Sequence, residues 1–446
     1  MSPELAKQPA RASSTPAECA PLRVAMVHYR DSAIGGGSLR VGETIANHVD
    51  PKRIAAEMVF AYGSAGPVAQ SARVPCHFIG ARGPGDFAAW PRARALFKKL
   101  QPDIIHFQDG VVWLRAALTG MSARKLVHVH ARYASRNKKS STVGRQNHPY
   151  LATPLFRTFL RSTDDQVCIN HGARKALLDF GWITPERSYV VYNSIDVTRF
   201  DHLPARAQAR ADLNLPPDAL LLGMICRLVW EKGCFDFISV IERLPQRWQG
   251  VVCGDGPQRV ELQRACEARG LAGRIHFIGV RDDVRQVYAA LDAYAFLSHY
   301  EPFGLVLAEA MAAGKPIFGI RSEGEFSEAA YPLVRDDIAE LQPFARDGNY
   351  GLVVPPLMLD QLAKRITDFG EHPESFRDMI ARARTWVEHC FDSQVQAEAM
   401  TRVYENLLAR GLSSEARLDE SYQTRRQQAE LLLSAANHKE SVAAIA

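Results

Sequence analysis

The chain has 446 residues, 47% of them hydrophobic and 23% charged, and its formal net charge is +5. That length exceeds what one hydrophobic core usually serves, so we expect two domains of about 150–200 residues in a globular protein. The eight cysteines form no C-x-x-C pair, which argues against a disulfide framework or a zinc ribbon.

The N-terminal stretch, residues 1–20, is rich in Ala, Ser and Pro and has no apolar run typical of a signal peptide. It is predicted to be a disordered lead. No stretch of the sequence reaches the roughly 18 apolar residues that a bilayer-crossing helix needs. The sequence therefore predicts a cytoplasmic protein, whose membrane contact would be peripheral and at the inner face.

Short apolar runs recur along the chain, each followed by a helical stretch, as in a buried parallel sheet. In the first half these runs are RVAMVHY, RIAAEMVFAY, VPCHFIG, DIIHFQ, KLVHVHA, QVCIN and SYVVYN. In the second half they are ALLLGMICRL, GVVCGDG, RIHFIGV, AYAFLS, KPIFGI and GLVVP. The alternation predicts the α/β class, with two doubly wound Rossmann-like domains.

A polar, proline-marked seam separates the two halves and sets the predicted domain limits. The predicted units are a first domain at 21–195, a linker at 196–217, a second domain at 218–395, a helix at 396–411 returning to the first domain, and a tail at 412–446 that is helical or disordered.

The first strand leads into HYRDSAIGGGSLRVGET, a glycine-rich turn before a helix. The dinucleotide fingerprint fails here because Arg40 stands at its last glycine position. The phosphate loop fails as well, since Glu43 replaces its lysine. What remains is a turn, with Gly36 and Gly37, where the backbone can approach a phosphate or a sugar.

The segment HVHAR places His128 and His130 on one face of a strand. Carboxylates and cysteines are absent nearby, so we predict no metal site. His130 stands at the carboxyl end of its strand and is expected to face the cleft. His130 lies within the interval 110–163, which is basic and has no acidic residue. This interval is either a solvated face or a surface for anionic lipid or an acidic glycan; the charge comes with no nucleic-acid-binding motif.

In the second half, CRLVWEKG places Arg227 and Lys232 on a strand-to-helix turn. Two cations on such a turn can converge on a diphosphate. The alternative is a surface salt bridge from Glu231 to either cation.

The segment HYEPFGLVLAEAMAAGKP reads as a loop followed by a helix, with Glu301 in the loop and Glu309 inside the helix. Eight helical residues span about 12 Å. Hydrolytic carboxylate pairs stand about 5 to 9.5 Å apart, so this spacing does not suit one bond. It suits the two ends of one elongated ligand, with the amides of Phe303, Gly304 and Leu305 facing a phosphate between them.

Taken together, these segments resemble the family-four retaining glycosyltransferases with the GT-B fold. The resemblance is carried by the E-x(7)-E signature from Glu301 to Glu309, by the turn with Arg227 and Lys232, by GDGP at 254–257 and by YNSID at 192–196. It spans about residues 22–410. The stretch RSEGEFSE departs from the Gly-Gly-x-x-Glu turn that the family commonly has.

The resemblance implies two Rossmann-like domains that face each other across a cleft holding a nucleoside-diphosphate sugar. It implies catalytic or substrate-binding roles for His130, Arg227, Lys232, Glu301, Gly36, Gly37, Phe303, Gly304, Leu305 and Glu309. Arg227 and Lys232 would hold the diphosphate, Glu309 the ribose, and Glu301 and His130 the transferred sugar. No metal or other cofactor is expected, because the cationic side chains neutralise the leaving group.

The resulting hypothesis is a transferase that builds a surface polysaccharide or glycolipid on a glycan, lipid-linked or anionic acceptor. Two alternatives stay open at this point. One is a GT-B sugar-nucleotide epimerase or a phosphorylase, and the other is a catalytically silent nucleotide- or glycan-binding protein.

Overall fold

The computed structural model describes residues 20–31, 37–130, 154–299, 301, 303–320, 351–354 and 358–409. The strands there are β1 (Leu22–Arg30), β2 (Ile54–Tyr62), β3 (Cys76–Ala81), β4 (Ile104–Phe107), β5 (Arg124–Val129), β6 (Asp165–Cys168), β7 (Ser188–Val190), β8 (Leu220–Ile225), β9 (Trp248–Cys253), β10 (Ile275–Gly279), β11 (Ala293–Phe296), β12 (Ile317–Ile320) and β13 (Leu352–Val354). Every one of them lies on an apolar run that was predicted to be a strand, so these predictions are confirmed.

Helices follow most of these strands, as the sequence pattern predicted. They are α1 (Gly37–His48), α2 (Pro67–Ser71), α3 (Ala89–Leu100), α4 (Val112–Ala117), α5 (Pro154–Arg161), α6 (His171–Asp179), α7 (Arg206–Asp212), α8 (Cys234–Arg243), α9 (Arg259–Ala268), α10 (Val284–Ala290), α11 (Leu305–Ala312), α12 (Leu359–Glu371), α13 (Arg377–Cys390) and α14 (Ser393–Ala409). Of the helices in the described ranges, none has both the length and the apolar composition needed to cross a membrane.

The first half of the chain forms a parallel sheet in the order β3-β2-β1-β4-β5-β6-β7. Alternate residues of its strands enter two different cores, one shared with α3, α4 and α6 and the other with α1 and α14. Burial on both faces explains why the strands are apolar throughout. The strand order reverses between β1 and β4, and this leaves a crevice at their carboxyl ends.

The second half repeats the plan in the order β10-β9-β8-β11-β12-β13. Helices α8, α9 and α12 share a core with one face of this sheet, and α7, α10, α11 and α13 share a core with the other. Here the strand order reverses between β8 and β11. The architecture is therefore two doubly wound α/β domains, each with its own switch point.

The C-terminal part of the described chain returns to the first sheet. Helix α14 packs beside α1, and Met400 and Tyr404 are buried in the first domain's core. Arg53 donates to Glu398 and Glu405 of this helix at 2.8 Å each. The domain limits drawn from the sequence stay predictions, and the tail at 412–446 lies outside the described residues.

Two connections between the sheets run side by side. The Ile195 N–H donates to the Phe391 carbonyl at 3.0 Å, and Ile195 forms a parallel bridge with Asp392. The segment that leaves the first sheet, at Ile195, and the segment that returns to it, at Phe391 and Asp392, are thus in direct contact.

Candidate functional site

The carboxyl ends of strands next to each switch point carry several of the residues that the sequence singled out, and Asp109 lies beside them. We call the ends of β1, β4 and β5, with Gly37, Asp109 and His130, the first-sheet edge. We call the ends of β8 and β11, with Lys232 and Glu301, the second-sheet edge. Open α/β sheets bind ligands in such crevices, so these two edges define the candidate site.

At the second-sheet edge, Lys232 and Glu301 form a close ion pair across the switch point. Lys232 Nζ lies 2.5 Å from Glu301 Oε2, and the two side chains are only 20% and 11% exposed. The lysine follows β8, and the glutamate lies in the loop between β11 and α11. Tertiary structure thus brings together two residues that the sequence assigned to one ligand.

Arg227 lies on the same turn but points elsewhere. Its Nη2 is 3.3 Å from Glu231 Oε1, and its side chain is 62% exposed. An exposed pair of this kind contributes little stability and is easily exchanged for another partner. The salt bridge that was weighed as an alternative therefore exists for Arg227, while Lys232 pairs with Glu301.

The backbone of the turn after β8 is packed directly against the loop after β11. Gly233 has a φ of +68°, and a Cβ atom there would lie 2.0 Å from the Leu297 carbonyl oxygen. The His299 N–H also donates to the Glu231 carbonyl at 2.8 Å. Only glycine fits this contact, which fixes the position of Lys232 relative to Glu301.

Helix α11 begins at Leu305, directly after Gly304, so Glu301 lies in the loop and Glu309 inside the helix, as predicted. The Phe303 side chain is buried and makes an edge-to-face contact with Phe391, with ring centroids 5.3 Å apart. Phe303 can therefore offer a ligand its backbone but not its ring. The first amides of an α-helix have no acceptor within that helix and can face an anion.

Glu309 has a polar partner in an otherwise apolar helix. Its Oε2 accepts a hydrogen bond from the Tyr288 hydroxyl at 3.1 Å. Burial raises the pKa of Glu309 to about 7, although the hydrogen bond and the charges of Arg199 and Arg40 act in the opposite direction. Arg40 belongs to α1, so a charge from the first domain reaches this carboxylate.

The glycine-rich turn approaches α11 from the first domain. Gly37 opens α1, and a Cβ there would lie 3.5 Å from Leu305 Cδ1. Gly36 lies outside the described residues. Asp109, at the end of β4, accepts hydrogen bonds from the Tyr29 N–H at 2.9 Å and from Ser38 Oγ at 3.0 Å. It therefore ties together the two ends of the glycine-rich turn.

His130 lies at the carboxyl end of β5, as the sequence predicted, and joins a buried polar network. Its Nε2 is 2.8 Å from Gln108 Oε1, and its ring stacks on His128 with centroids 4.3 Å apart. His128 in turn stacks on His106, whose Nδ1 is 2.7 Å from the Tyr404 hydroxyl. Burial lowers the pKa of His130 to about 3, so this imidazole is neutral near pH 7.

The histidines do not form a metal centre with their neighbours. Across the part of the chain that the structure describes, no three side chains of His, Cys, Asp or Glu are grouped so that they could hold a metal ion. The expectation of a reaction without metal or other cofactor remains a prediction.

Comparison with known families decides the class of the protein. Residues 36–199 match the family described as Glycosyltransferase Family 4, and residues 205–386 match Glycosyl transferases group 1. The lipopolysaccharide core biosynthesis glycosyltransferase LpsE of Rhizobium meliloti (strain 1021) is 31% identical over 57% of this chain and 67% of its own length. The chain belongs to the family 4 glycosyltransferases.

A second relative and two solved structures are also similar to this chain. LpsD of the same organism is 32% identical over a matched region that covers 35% of this chain and 44% of LpsD. The structure of Anabaena HepE in complex with UDP and glucose has a TM-score of 0.68 at 19% identity and covers 86% of this chain and 100% of its own. The structure of WaaG, a glycosyltransferase involved in lipopolysaccharide biosynthesis, has a TM-score of 0.61 at 17% identity. The match covers 85% of this chain and 99% of WaaG. The predicted GT-B fold is confirmed.

Sequence reasoning missed several residues that lie at the candidate site of this glycosyltransferase. Gln108 and Asp109 directly follow β4, where DIIHFQDG ends a strand next to the switch point. That position was a usable signal, because polar residues after such a strand face the crevice. Tyr288 gave no comparable signal, since it is a single aromatic residue within α10.

Proposed function

We propose that this glycosyltransferase moves a sugar from a nucleoside-diphosphate sugar to a glycan or lipid-linked acceptor in surface polysaccharide or glycolipid biosynthesis. The transfer would retain anomeric configuration and need no metal ion. One observation carries the proposal: Lys232 Nζ and Glu301 Oε2 stand 2.5 Å apart at the switch point of the second sheet. There, one cation and one carboxylate can bind adjacent parts of a ligand.

The ion pair suggests how the donor would bind. A diphosphate would take Lys232 as its partner, and Glu301 would then accept hydrogen bonds from hydroxyls of the transferred sugar. Arg227 is exposed and weakly paired, so it can turn to the same phosphates. Glu309 would accept from the ribose, and the amides at Phe303, Gly304 and Leu305 would face phosphate and sugar.

The first-sheet edge would complete the site. His130 is neutral, so it would contact the sugar as a hydrogen-bonding group rather than as a cation. Gly37, with Gly36 beside it in the sequence, would approach the phosphates. Charge develops on the departing nucleoside diphosphate, where Lys232 and Arg227 stabilise it. The acceptor hydroxyl would attack from the face that the leaving group vacates.

The identities of the relatives support the donor and acceptor classes. HepE was solved with UDP and glucose, and the name of LpsE assigns it to lipopolysaccharide core biosynthesis. We therefore propose a nucleoside-diphosphate sugar as donor and a growing surface glycan as acceptor.

Replacing Lys232 by methionine tests the site. Lys232→Met should lower the rate of transfer by about 100-fold or more, because it removes one preorganised charge from the leaving group. Lys175→Met is a matched control, since Lys175 forms an exposed ion pair with Asp179 at 3.1 Å in the other domain. Transfer at the wild-type rate by Lys232→Met would contradict the proposal.

The same assay separates the remaining possibilities. Chelation of divalent metals should leave the rate unchanged, and the product should keep the anomeric configuration of the donor. Conversion of the nucleotide-sugar in the absence of any acceptor would instead indicate an epimerase.

We also propose peripheral contact with an anionic membrane, at its inner face in a cytoplasmic protein. Phe87 is 71% exposed, and its ring lies 5.6 Å from Trp90 at the start of α3. Lys98 and Lys99 at the end of this helix are exposed, whereas Arg92 and Arg94 donate to backbone carbonyls. An exposed aromatic ring at one end of a helix and exposed lysines at its other end would suit binding along the surface of an anionic membrane.

Vesicle flotation tests this contact. The protein should float with anionic vesicles and not with neutral ones, and Phe87→Ser should weaken flotation. Val260→Ser is the control, because Val260 is 57% exposed in the second domain. Equal flotation of Phe87→Ser and wild type would place the contact elsewhere. Much of the basic interval, at 131–153, lies outside the described residues.

A further inference from the structure

Two cysteines bracket the turn that carries Arg227 and Lys232. Cys226 directly follows β8, and Cys234 is the first residue of α8. Although they are eight positions apart, their Sγ atoms lie 3.8 Å from each other. Both are free thiols, Cys226 being partly exposed and Cys234 buried. The pair therefore lies at the two ends of the turn that carries Lys232, and it can be reached from the side of Cys226.

The surroundings of the pair favour a thiolate on one sulfur. A hydrogen bond from the Cys226 thiol lowers the pKa of Cys234, and the nearby charge of Lys232 acts in the same direction, against burial. The same hydrogen bond and burial raise the pKa of Cys226. A thiolate at a helix N-terminus, next to a protonated thiol, is the arrangement from which disulfides form.

We propose that Cys226 and Cys234 form a reversible disulfide in the presence of a peroxide, and that this disulfide weakens donor binding. In the first step the Cys234 thiolate attacks hydrogen peroxide; an S–O bond forms, the O–O bond breaks, and one water leaves after protonation. In the second step Cys226 Sγ attacks the sulfenic sulfur of Cys234; the S–S bond forms as the S–O bond breaks, and the departing hydroxide takes up the proton of the Cys226 thiol and leaves as a second water. Two thiols thus give two electrons to one peroxide.

We expect closure of the disulfide to disturb the turn, because the backbone at both of its ends is packed against neighbouring segments. A disulfide bond is about 2.05 Å long, so the sulfurs have to approach by about 1.8 Å. The Cys226 N–H donates to the Cys253 carbonyl at 3.0 Å, and a Cβ at Gly254 would lie 1.9 Å from the Cys226 carbonyl oxygen. At the other end, Gly233 is packed against Leu297. We therefore expect the residues between the two cysteines, which include Lys232, to take up part of this movement.

The effect on the donor rests on the proposed function, since it assumes that Lys232 binds the diphosphate. The disulfide itself does not rest on that assumption and has its own readout. Trypsin should cut after Arg210, Arg227, Lys232 and Arg243, which places each cysteine in a different peptide. A disulfide would join peptide 211–227 to peptide 233–243, and thiol reduction would separate them.

The experiment treats the full-length reduced protein with hydrogen peroxide and then measures the joined peptides and the affinity for a nucleoside diphosphate. We expect the 211–227/233–243 pair, an affinity at least about 10-fold weaker, and recovery of both after treatment with dithiothreitol. Cys226→Ser and Cys234→Ser should each bind the nucleotide as the reduced wild type does and should not respond to peroxide. Cys266→Ser should respond as the wild type does.

Several outcomes would overturn the inference. If peroxide leaves both peptides separate, or joins peptide 211–227 to 248–259 through Cys253, the pair is not the oxidation site. If the expected disulfide forms and the affinity is unchanged, it is not a switch. If the reduced protein binds no nucleoside diphosphate, the proposed function fails, while the peptide result still decides whether the disulfide forms.

Discussion

The two strand edges of this glycosyltransferase hold their polar groups in opposite ways. At the first-sheet edge, the rings of His106, His128 and His130 form a stack, and the ring of His28 stacks on Phe60. Burial lowers the pKa of all four histidines. At the second-sheet edge, Lys232 is paired with Glu301 at 2.5 Å. The imidazoles of the first-sheet edge are neutral near pH 7, while the second-sheet edge carries opposite charges in contact.

This difference shows how two similar sheets can divide one substrate. A diphosphate needs cations, which a protein can hold partly buried only beside a carboxylate or with other compensation. A sugar needs hydrogen-bonding groups, and neutral imidazoles provide them without a buried charge. The cation of the second domain is thus suited to the charged part of the proposed donor. The neutral His130 of the first domain is suited to the transferred sugar, which it would share with Glu301.

The largest effect is expected from a methyl group placed where the two loops of the second-sheet edge meet. Gly233→Ala should lower the free energy of unfolding by more than about 3 kcal/mol, because the new Cβ would overlap the Leu297 carbonyl. Gly270→Ala is the matched control, since Gly270 has the same φ of +68° but no atom within 4 Å of the new Cβ. It should cost only about 1 to 2 kcal/mol. Equal losses in urea denaturation would show that the two loops are not held by this contact.

Acid should destabilise the first-sheet edge. Burial holds the pKa of His28 at about 3, whereas an unfolded histidine titrates near 6.5. Below about pH 6.5, His28 binds a proton in the unfolded chain but stays unprotonated in the folded one. The folded state therefore loses stability as the pH falls toward 3. From pH 7 to pH 5, His28 should account for a loss of about 2 kcal/mol.

Denaturation curves at both pH values check this prediction. Between pH 7 and pH 5, the free energy of unfolding of His28→Leu should fall by about 2 kcal/mol less than that of the wild type, because the variant lacks the one proton-binding group. The same pH dependence in both proteins would mean that His28 is not held neutral by burial.

Donor affinity should depend on the ionisation of Glu309. Its pKa is raised to about 7 by burial, and the ionised carboxylate is the better acceptor for ribose hydroxyls. The affinity for a nucleotide-sugar should therefore rise as the pH increases through 7, by up to about 10-fold between pH 6 and pH 8. Glu309→Gln should bind more weakly and show a flat profile in calorimetry. A wild-type profile that is already flat would remove Glu309 from the ribose site.

The smallest effect concerns the hydrogen bond that links α14 to the histidine group. Tyr404→Phe removes the hydroxyl that lies 2.7 Å from His106 Nδ1 and should cost about 1 kcal/mol or slightly more. Tyr294→Phe is the control in the second domain, where the hydroxyl is 3.4 Å from the Ile225 carbonyl. Urea denaturation should show the larger loss for Tyr404→Phe. A larger loss for Tyr294→Phe would reverse the expected order.

Much of the fold could be predicted because its signals are local. Each strand of a buried parallel sheet is apolar along its whole length. The helix with Glu309 is built of strong helix formers, and Gly314 follows its end. The loop position of Glu301 followed from the same pattern. The positions of Gly37 and His130 at strand or helix ends were also local.

The distant partners of these residues could not be predicted. Spacing gave Arg227 and Lys232 the same role and allowed Glu231 as a partner of either, but only folding shows that Arg227 takes Glu231 and that Lys232 takes Glu301. Gln108 reaches His130 from a neighbouring strand, and Tyr404 reaches His106 from a helix almost 300 residues away. Such contacts depend on strand order, which no short stretch of sequence encodes.

The sequence by itself determined two doubly wound domains and the elements that carry the candidate residues, because backbone periodicity and burial are written in neighbouring residues. Tertiary structure alone decided which side chains meet and which of them are charged. The reason is physical: the pKa of a histidine or a glutamate depends on how much water its neighbours exclude. That exclusion exists only once the two sheets have closed around their cores.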